Sequence, residues 1–148
     1  MNIERLAAIL RQAAQEEIMP RFRRLDEGMI RTKSSAIDLV TEADEAAERL
    51  ITRAITDHSP NTVVIGEEAV SADPRLLDTN FDDRIVIYVD PVDGTSNFAG
   101  GLPLFAVMAA VVQDGQPVAG VIYDPLGDDF VMAERGAPVE GRGSVRGV

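Results

Sequence analysis

Two acids three positions apart, Asp90 and Asp93, stand where the apolar run Ile85-Val86-Ile87-Tyr88-Val89 ends, and Gly94, Thr95 and Ser96 follow them. Carboxylates facing one small volume repel unless a cation or a shared proton lies between them. Mg²⁺ suits such a place, because it is hard, takes oxygen ligands and bridges to phosphate. The backbone carbonyl of Val92, between the acids, is a further oxygen donor. Gly94 lets the backbone approach an anion closely, and the amides of Gly94, Thr95 and Ser96 at the start of a helical turn form a phosphate cradle. Alone, this pattern would read as a plain turn after an edge strand. A second short apolar run, Thr62-Val63-Val64-Ile65, also drives into acids, at Gly66-Glu67-Glu68. Two buried strands ending in carboxylates predict that both clusters meet at one sheet edge, where open sheets hold their ligands.

The elements that must position these groups follow from periodicity. The β-branched run 85–89 reads as a buried strand, and Pro91 is expected to stop its ladder pairing and turn the chain. Apolar spacing over 3–19 predicts a helix that Pro20 ends or kinks. Residues 28–40 read as a short strand or hairpin with a mobile polar loop. That loop carries Lys33, the only lysine, which composition alone assigns to the surface. Thr41-Glu42-Ala43-Asp44 resembles a capping box and opens a second helix that ends near His58 and Pro60. Asp44 there also suits a first-turn acid on the helix dipole. Residues 69–83 are polar and read as a surface loop. The apolar runs 104–112, 117–123 and 130–133, joined by Asp114-Gly115 and a second turn at Asp124-Pro125, predict an antiparallel meander.

Composition narrows the function classes. The chain has 148 residues, 45% of them hydrophobic, and a formal net charge of −11. That balance opposes a nucleic-acid groove, which needs a basic face. It also requires bound cations to reverse the local sign before an anionic substrate can dock. With no cysteine there is no disulfide, zinc-thiolate site or cysteine nucleophile, and a reducing cytoplasmic location is expected. Neither a signal peptide nor a membrane span is legible. His58, the only histidine, falls at a helix end with no neighbour that argues for catalysis.

Three blocks, Asp38-Leu39-Val40-Thr41 with Asp44, Gly66-Glu67-Glu68, and Asp90-Pro91-Val92-Asp93-Gly94-Thr95 with Asn97-Phe98, make the chain resemble the inositol monophosphatase family of Mg²⁺-dependent, lithium-sensitive phosphatases. The resemblance implies an α+β fold, the layered sandwich shared with fructose bisphosphatases, here with two N-terminal helices packed on a largely antiparallel sheet. It implies Mg²⁺ held by Glu67, Asp90, the Val92 carbonyl and Asp93. Glu67 and Thr95 would activate water, with Asp44 completing the relay. Phosphate would be bound by Asp93, Gly94, Thr95 and Ser96, with Lys33 near the site. The reaction implied is hydrolysis of inositol monophosphate or a similar small polyol or sugar phosphate, in a protein that is commonly a homodimer.

The resemblance covers residues 1–135 and only about the first half of a usual family member. The remaining half carries a Trp-Asp motif that completes the second metal, and this chain has no tryptophan. Residues 136–148, rich in glycine and arginine, depart from the family pattern and are expected to be a flexible tail. The switch resembles a truncated or frameshifted product. The alternative expectation is therefore a catalytically weak fragment that binds Mg²⁺, or a self-associating module.

Overall fold

The computed structural model describes residues 2–23, 30–33, 38–78, 84–137 and 140–141, with the backbone alone for 30–33, 38–41 and 140–141. Helix α1 spans Ile3–Ala13, and Asn2 caps it by accepting from the Arg5 amide at 2.9 Å. Its buried stripe is Leu6, Ala7, Ile9, Leu10 and Ala13, the spacing expected of an amphipathic helix. The predicted helix over 3–19 changes character before Pro20. Residues Ala14–Ile18 form a π-helical turn, and the Met19 amide donates to Ala14 O at 2.8 Å. Pro20 has no N–H to return to the turn before it and its ring crowds that turn's carbonyl, and the wider turn absorbs the mismatch.

Strands β1 (Ile30–Lys33) and β2 (Asp38–Thr41) form a two-stranded antiparallel sheet, as the hairpin reading expected. The loop between them, residues 34–37, lies outside the described residues. Helix α2 (Glu42–His58) buries Ala43, Ala47, Ile51 and Ile55, four positions apart along one face. The capping role expected of Thr41 lies outside the described side chains. His58 ends the helix and is exposed.

The main sheet has six strands in the order β3-β4-β5-β6-β7-β8. They are β3 (Val63–Gly66), β4 (Ile85–Asp93), β5 (Ala106–Gln113), β6 (Gln116–Asp124), β7 (Asp129–Glu134) and β8 (Glu140–Gly141). Only β3 and β4 pair in parallel, and the later strands form the expected antiparallel meander. Asp114 and Gly115 both have positive φ, 51° and 68°, as a tight hairpin turn requires.

Three sequence expectations need correction. Residues 69–83 are not simply a loop: helix α3 (Glu67–Ala72) starts directly after β3, and Pro74–Asp78 form a 3-10 turn. Residues 79–83 lie outside the described set. Pro91 does not stop β4, which runs to Asp93 with its register shifting against β5 between Asp90 and Asp93. Proline is tolerated because β3 pairs no further than Gly66 with Val89, so the neighbouring ladder has already ended. Residues 140–141 of the expected tail pair with β7 as β8.

One face of the sheet holds the core. Ile87, Val89, Val107, Ala109, Val121, Tyr123 and Phe130 join Leu6, Leu10, Ile51 and Ile55 in a single apolar cluster. Beyond α1, Phe22 packs against Phe98 and Phe105, with ring centroids 5.5 and 5.0 Å away, and Phe98 meets Phe105 edge-on. This trio fixes helix α4 (Thr95–Ala99), the element that follows the two acids. Arg11 binds Asp128 at 2.7 Å and lies over the Phe130 ring, so α1 also grips the β6–β7 turn. Among the described residues no helix is long and apolar enough to cross a membrane.

Candidate functional site

Parallel pairing of β3 with β4 brings both acid clusters to the same end of the sheet. Gly66 stands opposite Val89, so Glu67 and Asp90 are each the next residue along neighbouring chains. The two side chains share a hydrogen bond. Burial raises the pKa of Asp90 from an ordinary 3.8 to about 7, and the charges of Glu67, Asp93 and Asp44 push the same way. Asp90 is therefore a carboxyl group that holds its proton near neutrality unless a cation replaces it. Its Oδ1 is buried and has no hydrogen-bond partner.

Asp44 lies in the first turn of α2 and is fully buried, within electrostatic reach of Asp90. Glu67 and Asp93 are exposed at the rim. Gly94 opens α4 in the left-handed region, at φ +91°, and a Cβ there would come within 2.8 Å of Leu104 O. Both constraints demand glycine. Its carbonyl accepts from the amides of Asn97 at 2.8 Å and Phe98 at 3.0 Å, which winds the turn that carries Thr95 and Ser96. The Thr95 hydroxyl donates to the Val92 carbonyl at 3.0 Å. Asn97 donates to Leu104 O at 2.7 Å, and Phe98 is buried, so both hold the turn against the following segment. Ser96 is exposed. Lys33 closes strand β1, and its side chain lies outside the described set.

Asp90, Glu67, Asp93 and the Val92 carbonyl could offer oxygen donors alone, the kind that suits Mg²⁺. The buried, unengaged Asp90 Oδ1 and the proton shared with Glu67 mark where a cation's charge would be accepted. Among the described residues no group of three or more His, Cys, Asp or Glu is arranged to hold a metal ion. What is assembled is a carboxyl pair with a third acid near it; the donors fit Mg²⁺ in kind, with Asp93 still turned to solvent.

Sequence reasoning missed Glu48. Its carboxylate accepts from the amides of Glu68 at 2.7 Å and Ala69 at 3.0 Å and so caps α3, the helix that begins with Glu67. The one signal for it in the sequence is Gly66, where any side chain would collide with the Glu48 carboxylate.

Beside the acids, the sheet face away from α1 and α2 forms a concavity of about 580 Å³. Its floor is apolar, from Tyr88, Met108, Ala110, Ile122 and Val131, and Asp90 and Glu67 stand at one margin. Ile122 is 46% exposed and Val131 41% exposed.

Comparison with known proteins accords with this geometry. The chain is 39% identical over 100 residues to inositol monophosphatase 1 of Solanum lycopersicum, covering 68% of this chain and 36% of that protein. It is 36% identical over 105 residues to the Nus factor SuhB of Xylella fastidiosa, covering 71% of this chain and 35% of the relative. Among solved structures, the Thermotoga maritima IMPase TM1415 superposes with a TM-score of 0.79 at 29% identity, covering 93% of this chain and 50% of the other. The chain thus spans between a third and a half of the lengths it matches. The sequence model of the inositol monophosphatase family matches residues 2–146, which takes in all three acid-bearing blocks, and the chain belongs to that family.

Proposed function

We propose that this chain carries the metal- and phosphate-binding part of a Mg²⁺-dependent phosphomonoesterase acting on inositol monophosphate or a similar small polyol or sugar phosphate. The observation that carries the reading is the meeting of Glu67 and Asp90 from two separate strand ends, with Asp90 driven to a pKa of about 7. Family membership supports the reaction class.

Glu67, Asp90, the Val92 carbonyl and Asp93 would hold Mg²⁺. Bound there, it supplies Lewis-acid activation of water and neutralises charge on the phosphoryl group. The chain's own residues do the rest. Glu67, exposed at the rim, accepts a proton from the attacking water, and the Thr95 hydroxyl orients that water. Asp44, fully buried, keeps the field on Asp90 negative and so favours a cation over a neutral site. Gly94 brings the backbone close, and the first amides of α4 receive phosphate oxygens alongside Ser96. Lys33 adds positive charge from β1.

A second reading is favoured by the open apolar face, where Ile122 and Val131 stay exposed. In it, the chain binds Mg²⁺ but turns over little and associates with a copy of itself. Phosphate release from inositol 1-phosphate with and without Mg²⁺ separates the two. Metal-dependent release that Asp90→Asn abolishes supports the first reading. Equal release by the two proteins contradicts it.

A further inference from the structure

We propose that Glu48 is a positioning residue, holding Glu67 against Asp90 by capping α3 from a different helix. The inference rests on the metal-site reading above and deepens it. Helix α3 has six residues, none of them buried, and its N-cap position, Gly66, has no side chain with which to bond the first amides. So short a helix has little stability of its own. What fixes its start comes from outside: Glu48 reaches across from α2 and accepts from the Glu68 and Ala69 amides. Each such charge-assisted bond is stronger than a neutral one.

The platform behind Glu48 is rigid. Ala47 and Ile51, flanking it on α2, are fully buried in the core. Asp44 lies four residues earlier, on the same face of the helix, and it too reaches the acid cluster electrostatically. One face of α2 thus serves both strand ends: Asp44 acts on the β4 acid and Glu48 on the helix carrying the β3 acid. Gly66 completes the arrangement, because its missing Cβ is the space that the Glu48 carboxylate fills. Burial raises the pKa of Glu48 and the charges of Glu68 and Glu67 add to this, while the two amides oppose it. The two amides thus offset part of what burial and the neighbouring acids cost Glu48, so cap and cluster depend on each other.

The test uses the whole chain, with Mn²⁺ affinity measured by water proton relaxation and amide exchange at Glu68 and Ala69 measured by NMR. In Glu48→Ala, Mn²⁺ binding should weaken about tenfold, the lower end of what loss of a supporting partner costs a metal site. Exchange at the two amides should speed up at least as much, while α1 and α2 stay protected. Glu48→Gln, which keeps shape and one acceptor, should fall between, and it carries the test if the alanine variant does not fold. The double variant Glu48→Ala/Glu67→Ala should bind no more weakly than Glu67→Ala alone, since Glu48 acts through Glu67. Additive losses, or unchanged exchange at Glu68 and Ala69, would overturn the proposal. If the unaltered chain binds no Mn²⁺, the metal reading falls by itself. Nuclear Overhauser contacts between the Glu67 and Asp90 side chains then decide the positioning role: their loss in Glu48→Ala supports it, and their persistence overturns it.

Discussion

On one side of the six-stranded sheet, Ile87, Val89, Val107 and Val121 are buried under α1 and α2. On the other, Tyr88, Met108, Ile122 and Val131 line an open concavity, and the acids stand at its margin. Both surfaces come from the same strands by alternation, and their residues are equally apolar. The difference lies in what covers them. The closed face makes the chain fold; the open face is where the acid pair can meet solutes. The floor is exposed at Ile122 and Val131, and the Thermotoga maritima relative is about twice as long as the part of it that this chain matches.

The largest predicted effect is on the closed side. Phe98→Ala removes a fully buried ring from the aromatic trio and should cost about 3–5 kcal/mol in urea unfolding, loosening α4 with it. Ile51→Ala, also fully buried, should cost about 2–5 kcal/mol. The matching change on the open side, Ile122→Ser, should shift stability by no more than about 0.5 kcal/mol. If sedimentation shows self-association, the same change should reduce it. A loss on the open side as large as that of Ile51→Ala would mean that this face is covered after all.

The next effect is pH-dependent and belongs to the acid margin. The raised pKa of Asp90 means that the folded, metal-free chain keeps a proton that the unfolded chain releases. Its contribution to stability is full below 3.8, declines as the pH rises and is gone above about 7. Thermal melts of the metal-free protein between pH 4 and 8 should show this decline, and Asp90→Asn should flatten it. A slope unchanged in Asp90→Asn would show that the proton is held elsewhere.

A smaller loss than in the core is expected at the edge of the closed face. Arg11→Ala breaks a half-exposed ion pair with Asp128 and a stacking contact on Phe130, and should cost about 1 kcal/mol in the same unfolding measurement. An indistinguishable midpoint would show that the β6–β7 turn is held by its own bonds, such as Tyr123 Oη donating to Asp128 at 2.9 Å.

Much of the closed side was legible in the sequence, because burial writes periodicity. The four-residue spacing of Ala43, Ala47, Ile51 and Ile55 gave α2, and Asp114-Gly115 gave the β5–β6 hairpin. The convergence of Glu67 with Asp90 was also legible, since each follows a short apolar run. What escaped was held by tertiary contact. Helix α3 looked like loop because its start is capped by a residue about twenty positions earlier. Glu48 itself is marked in the sequence only indirectly, by Gly66. Pro91 looked like a strand breaker because the end of the β3 ladder, which frees that edge, is not written locally.

The central claim is that Glu67 and Asp90 share one pocket whose charge a divalent ion neutralises. Calorimetric titration of the whole chain with Mg²⁺ at pH 7, in buffers of different ionisation heat, tests it most directly. With Asp90 half protonated at a pKa of about 7, saturable binding should release about half a proton per ion, and Asp90→Asn should abolish both. Binding without proton release, or binding that Asp90→Asn leaves intact, would contradict the account.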